Sequence, residues 1–290
     1  MLSEHIYWMF RVGAQLLLKN GHVFQSIAFS QLIYLGRFDV AIESLSHNMA
    51  DEIIVTSLDG EIANELKKHS IVLDQVNLPL MISGGAEKAD LSSEPVERAL
   101  YNSALFNEEA MSRLKHSPLG FQSSLGYLPF CFEEHNLRVY DSDSNRFTDV
   151  DASWLRQRGE VVQEFVFLDA VNQGGFEAFN EEILDYLPDD IVQRSYFSGG
   201  IAKSQLRSLI AAGAAGYIID NVSLYSNAKI FEEPCWKSVA PAFWQVGTVS
   251  VQRFQARGFV ELAKCIINEW VIWANSNREL LKRKLPITTA

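Results

Sequence analysis

The chain has 290 residues, 48% of them hydrophobic and 21% charged, with 36 acidic side chains against 25 basic ones and a formal net charge of −11. That length suits one α/β barrel of roughly 250 residues, the apolar content excludes a disordered chain, and the acidic balance argues against nucleic acid or an anionic membrane as the main partner. Three cysteines, Cys131, Cys235 and Cys265, form no CxxC pair, which excludes a disulfide scaffold and a cysteine zinc site.

In chain order, Met1–Phe10 carries Glu4 and His5 and lacks the basic stretch of a signal peptide. No apolar run approaches the ~20 residues of a membrane span, so a cytoplasmic protein is expected. Apolar runs then alternate with helical patterns. Strands are expected at Val12–Leu18, Glu52–Leu58, Leu78–Ile82, Ala99–Asn102, Ser123–Phe130, Glu164–Ala170, Val192–Phe197 and Tyr217–Asp220. Helices are expected at Asp39–Met49, Glu61–Gln75, Asn107–His116, Ser153–Val161, Phe176–Tyr186 and Lys203–Ala212. Strands apolar on both faces and separated by helices predict a parallel sheet. Eight of them predict a closed TIM (β/α)8 barrel over residues 1–230. Cys131–Tyr140, the polar turn Asp141–Asn145 and Arg146–Val150 read as a hairpin inserted after the fifth strand. Residues 231–290 read as a helical extension rich in tryptophan (Trp236, Trp244, Trp270, Trp273), packed on the barrel or offered to a partner.

A weak repeat divides the barrel. Ser83-Gly84-Gly85 and Ser198-Gly199-Gly200 are each followed by Lys, Leu and Ser at equal spacing, and Asn102-Ser103 is echoed by Asn221-Val222-Ser223. Two related units predict two half-barrels. The Ser-Gly-Gly turns have two readings. Glycines let a backbone approach a phosphate closely, which would make Gly84, Gly85, Asn102, Ser103, Gly199, Gly200 and Asn221 a pair of phosphate cradles for a phosphorylated small molecule. Equally, glycine permits tight strand-to-helix turns. Asp220 counts against the second cradle, because a carboxylate beside a phosphate costs Coulomb energy.

Catalytic signatures are missing: the chain has no GxSxG, HExxH, Walker loop or GxGxxG. The six histidines are scattered, and no cofactor or metal is implied. Asp59 and Asp169 lie near strand ends, where a barrel places acids and bases; capping is the plainer role for each. At the opposite end, Arg11, Glu52, Arg98 and Glu164 each stand immediately before an apolar strand. Strand starts share one face of a barrel, so these charges either ring its centre through charge-assisted bonds or are four separate solvated groups.

Taken in order, Arg11–Gly21, Ala50–Ser57, Ser83–Gly85 with Asn102-Ser103, Glu164–Phe179 and Ser198–Gly200 resemble the cyclase subunit of imidazole glycerol phosphate synthase. The resemblance implies a (β/α)8 barrel of two half-barrels and a glutamine amidotransferase docked on the bottom face. Ammonia from that partner would cross the barrel. It also implies a gate at Arg11, Glu52, Arg98 and Glu164, and a partner-facing surface at Glu97 and Gln122. The top face departs from the family. The catalytic Asp positions fall on Leu17 and Gln173, the strand-five Asp on Pro129, and the phosphate-loop Lys on Gln25. Leu and Gln carry no proton, so the family's lyase chemistry does not transfer. A paralogous branch, associated with amidation of sugars in surface polysaccharides, reads Leu17-Leu18-Lys19 as here. Three expectations follow: a barrel that passes ammonia from a glutaminase to a sugar amidotransferase, an active cyclase of histidine biosynthesis with displaced carboxylates, or a non-catalytic scaffold.

Overall fold

The computed structural model describes residues 10–28, 30–46, 50–88, 91, 94–117, 119–174 and 179–219. β1 (Arg11–Lys19) leads into the antiparallel hairpin β2 (His22–Ile27) and β3 (Gln31–Arg37), then α1 (Phe38–Ser46). β4 (Glu52–Ser57), α2 (Ile62–Lys68), α3 (Ser70–Leu73), β5 (Leu80–Ser83), β6 (Arg98–Tyr101) and α4 (Glu108–Leu114) follow. β7 (Ser124–Glu133) extends into the antiparallel β8 (Asn136–Asp141) and β9 (Arg146–Asp149) before α5 (Ala152–Arg158). β10 (Glu164–Asp169), α6 (Glu182–Tyr186), α7 (Asp189–Val192), β11 (Ser195–Ser198), α8 (Lys203–Ala211) and β12 (Gly216–Ile219) complete the described chain.

Eight of these strands pair in parallel in the order β1-β4-β5-β6-β7-β10-β11-β12, and β12 returns to β1. The result is a closed parallel barrel with helices between strands. Each barrel strand alternates between two apolar layers. Outward residues such as Ile53, Val55, Phe165 and Phe167 pack under the helices. Inward ones (Ile54, Met81, Leu100, Leu125, Val166, Tyr196, Ile218) fill the lumen, as expected of a packed barrel core. That double burial is why these strands read as continuous apolar runs.

Several boundaries differ from expectation for local reasons. The helix expected over Glu61–Gln75 breaks at His69 into α2 and α3. The seventh strand begins at Ser195 rather than Val192, because Asp189–Val192 forms a helical turn after Pro188. The insertion after β7 has a second turn at Glu134-His135, both at positive φ, so it is a three-stranded meander. The β2–β3 hairpin was not expected. Between β5 and β6 the described residues hold one short 3₁₀ turn, Ala86–Lys88. Asp220, Asn221 and the extension over residues 231–290 lie outside the described residues. None of the described helices is long and apolar enough to cross a membrane.

Candidate functional site

The barrel has two ends with opposite chemistry. At the floor, where the strands begin, Arg11, Glu52, Arg98 and Glu164 meet over the lumen. Arg11 reaches Glu52 at 3.4 Å and also Glu164, while Arg98 reaches Glu52 at 2.9 Å and also Glu164. The charges alternate, so each carboxylate faces two guanidiniums and each guanidinium two carboxylates. Glu52 is 4% exposed, a burial that an unpaired carboxylate would not tolerate. Burial alone would lower the Arg98 pKa, but Glu164 first and Glu52 after it outweigh that and raise it, so the side chain stays charged.

A fifth group completes the floor. Tyr196 donates its hydroxyl proton to Glu52 Oε1 and accepts from Arg98 Nη1 at 3.3 Å. The Arg11 guanidinium sits 4.8 Å from the centre of its ring. Burial, then the Glu52 and Glu164 carboxylates, push its phenol pKa up, which keeps it a donor. Outside the ring, Glu97 and Gln122 are exposed on the same end, beside Phe121 at 44% exposure. Glu97 also accepts from the Leu80 backbone N–H at 2.6 Å, so it braces the start of β5.

At the mouth, where the strands end, the inward groups are neutral amides and hydroxyls. Gln15 donates to Thr56 Oγ1 at 2.9 Å. Tyr127, hydrogen-bonded to Gln15, has its pKa pushed up to about 12 by burial. Leu17 and Gln173 are buried at 5% and 3%. Neither can exchange a proton. The loop carrying Gln173 is bound to the β2–β3 hairpin: its carbonyl accepts from Ala28 N at 2.9 Å. Among the described residues, the side-chain oxygens of Gln25 and Gln173 have no hydrogen-bond partner.

Both Ser-Gly-Gly turns have a packing cause. A Cβ on Gly84 would lie 2.0 Å from the Ser57 carbonyl oxygen, and one on Gly199 would lie 2.6 Å from that of Asp169; both residues also hold positive φ. Each turn therefore presses on the end of the preceding barrel strand and, at Gly85 and Gly200, on the loop that follows that strand, which accounts for its glycines without a ligand. Carboxylates occupy the neighbourhood. Glu87 accepts from the Asn102 backbone N–H at 3.1 Å, so an anion there would have to displace it. The Asn102 side chain bonds the carbonyls of Tyr127 and Tyr140 and the N–H of Ser142 at 2.8–2.9 Å. It clamps the β7–β8 extension to the end of β6. Ser103 opens the turn that follows.

The two carboxylates expected near strand ends are both engaged. Asp59 pairs with Lys19 at 3.2 Å. Asp169, 1% exposed, accepts from Val171 N, Asn172 N, Asn172 Nδ2 and Asn180 N at 2.8–3.1 Å, which organises its loop. Among the described residues there is no group of three or more side chains suited to a metal ion.

Sequence reasoning missed Tyr196, Gln15 and Glu87. The first had a signal: a tyrosine inside a strand buried on both faces must bring its hydroxyl to a polar partner. Glu87 had none, because nothing in its spacing points it at Asn102. The sequence matches no protein-family profile, and no curated protein is significantly similar to it.

Proposed function

We propose that the chain is a barrel subunit that receives ammonia through its floor from a docked glutamine amidotransferase. It passes that ammonia toward a sugar amidotransferase of surface-polysaccharide synthesis. The observation that carries this reading is the closed ring of alternating charges around the lumen at the floor. A ring of side-chain ion pairs differs from an apolar plug: a docking partner with its own charges can draw one member away and offer it a new bond. Arg11 is the member most open to the outside, with 34% of its side chain exposed. The nearby exposed Glu97, Gln122 and Phe121 supply polar and apolar contacts for such a partner. Resemblance to the cyclase branch associated with sugar amidation supports the choice of acceptor. The neutral mouth supports a barrel that does not itself run the cyclase's acid–base chemistry.

The test is co-expression with a glutamine amidotransferase subunit of the imidazole glycerol phosphate synthase type. Association, with glutamine hydrolysis faster in the complex than in the free glutaminase, is the expected result. Gln122→Lys, on the exposed surface beside Phe121, should weaken the complex while leaving the melting temperature close to that of the parent. Failure to associate, or growth of a histidine-requiring cyclase-deficient strain on this chain alone, would remove the reading.

A further inference from the structure

Tyr196 is fully buried and has no part in a gate of four charges. It stands on β11, the seventh strand round the barrel, and the third strand, β5, lies directly across the lumen from it. Its hydroxyl ends between the two strands that flank β5. It donates to Glu52 on β4 and lies 3.3 Å from Arg98 Nη1 on β6, which itself sits 3.8 Å from Met81 Sδ on β5. A side chain rooted on one wall, with its tip held by two side chains that reach in from the opposite wall, stands in the middle of the lumen. The chain makes room for it: a Cβ on Gly216, the neighbour of Tyr196 on β12, would lie 2.9 Å from the Tyr196 ring. The Arg11 guanidinium lies over that ring.

We propose that Tyr196 is the crossbar of the floor, a positioning residue that shuts the lumen and is held shut by Glu52 and Arg98. A small neutral molecule entering from below must wait for the phenol to swing aside before it meets the apolar middle of Ile54, Leu100, Leu125, Val166 and Ile218. Glu52 and Arg98 belong to the ring and to the latch at once. Drawing Arg98 toward a partner therefore removes one of the two bonds on the hydroxyl. The physiological meaning of the crossbar rests on the ammonia-passing reading; its existence does not.

The experiment uses one reporter cysteine in a chain with Cys131→Ser, Cys235→Ser and Cys265→Ser. Leu100→Cys faces the lumen and Ala99→Cys faces the outer layer of the same strand; both positions are buried. The probe is methyl methanethiosulfonate, small and uncharged. Tyr196→Ala should speed labelling at position 100 about tenfold and leave position 99 unchanged. Tyr196→Phe keeps the ring and removes the latch, and should give a smaller rise confined to position 100. General loosening of the barrel would raise both positions alike. Equal rises, or no rise at position 100 in either variant, would overturn the crossbar. No glutaminase is present, so loss of the docking result and loss of this one are separate events.

Discussion

At the floor, buried polar groups are satisfied by charges reaching across the lumen from different strands: Arg11 from β1, Glu52 from β4, Arg98 from β6, Glu164 from β10. At the mouth, the buried Asp169 and Asn102 are satisfied by backbone groups of the loops and strand ends around them. Asp169 bonds four N–H groups within eleven residues of itself, and Asn102 bonds carbonyls and an N–H of the β7–β8 extension. The difference is one of mobility. Ion pairs between separate strands can exchange partners without disturbing the backbone. Side chains bonded to backbone cannot move without remodelling a loop. The floor is built to be reset and the mouth to be held.

The sharpest way to break this comparison is to unbalance the ring. Glu52→Ala leaves the largely buried Arg98, the partly exposed Arg11 and the Tyr196 hydroxyl without their shared acceptor, and should cost about 3–5 kcal/mol in urea denaturation. Pairing Glu52→Leu with Arg98→Met should recover most of that loss, because an apolar pair carries no stranded charge. A loss under about 1 kcal/mol for Glu52→Ala would mean a solvated ring and no distinction between the two ends.

Next in size is the contrast between the two mouth carboxylates. Asp169→Ala strands several backbone N–H groups and should lower stability by roughly 2–4 kcal/mol. Asp59→Ala loses only a partly exposed pair with Lys19 and should fall within about 1 kcal/mol. Similar losses from both would show that Asp169 does not organise its loop.

The smallest effect concerns His69, beneath the β1–β2 turn. A Cβ on Gly21 would lie 3.2 Å from its Nε2, and the Phe38 ring is 4.9 Å away. Burial lowers its pKa below 6.5; Glu65 and Asp39 oppose that shift, and Lys68 and Arg37 add to it. The unfolded chain therefore binds this proton first as pH falls. His69 lowers stability progressively from about pH 6.5 downward, until the folded state is protonated too. Denaturation midpoints at pH 7.5 and 5.5 should differ less in His69→Gln than in the parent. An unchanged difference would remove His69 from the acid sensitivity.

How much of this was legible in the sequence depends on what the residues face. The eight barrel strands were readable because burial on both faces leaves unbroken apolar runs, as in Glu164–Asp169. The β2–β3 hairpin was not, because its strands mix apolar residues with Gln25, Ser26 and Gln31. The turn that leads into it did carry a signal: Asn20-Gly21, both at positive φ, joins β1 to β2 as a favoured two-residue hairpin turn. Glu134-His135 makes a comparable turn with residues that give no warning. Each ring charge was readable as standing before a strand, but spacing left a ring and four separate solvated groups both open, and only the family resemblance favoured the ring. The bonds of Asn102 and Asp169 were not, since they depend on which loops meet.

The ring also bears on how the chain comes together as it is made. The first four barrel strands carry Arg11, Glu52 and Arg98, two cations to one anion; the missing carboxylate, Glu164, comes from the sixth strand. A nascent chain that has emerged only through β6 therefore holds two of the ring's guanidiniums and one of its carboxylates, and the ring cannot close until β10 supplies Glu164. Expressed as two separate fragments, the leading portion would bring Arg11 and Arg98 and the trailing portion Glu164, so the ring would close only on contact between them.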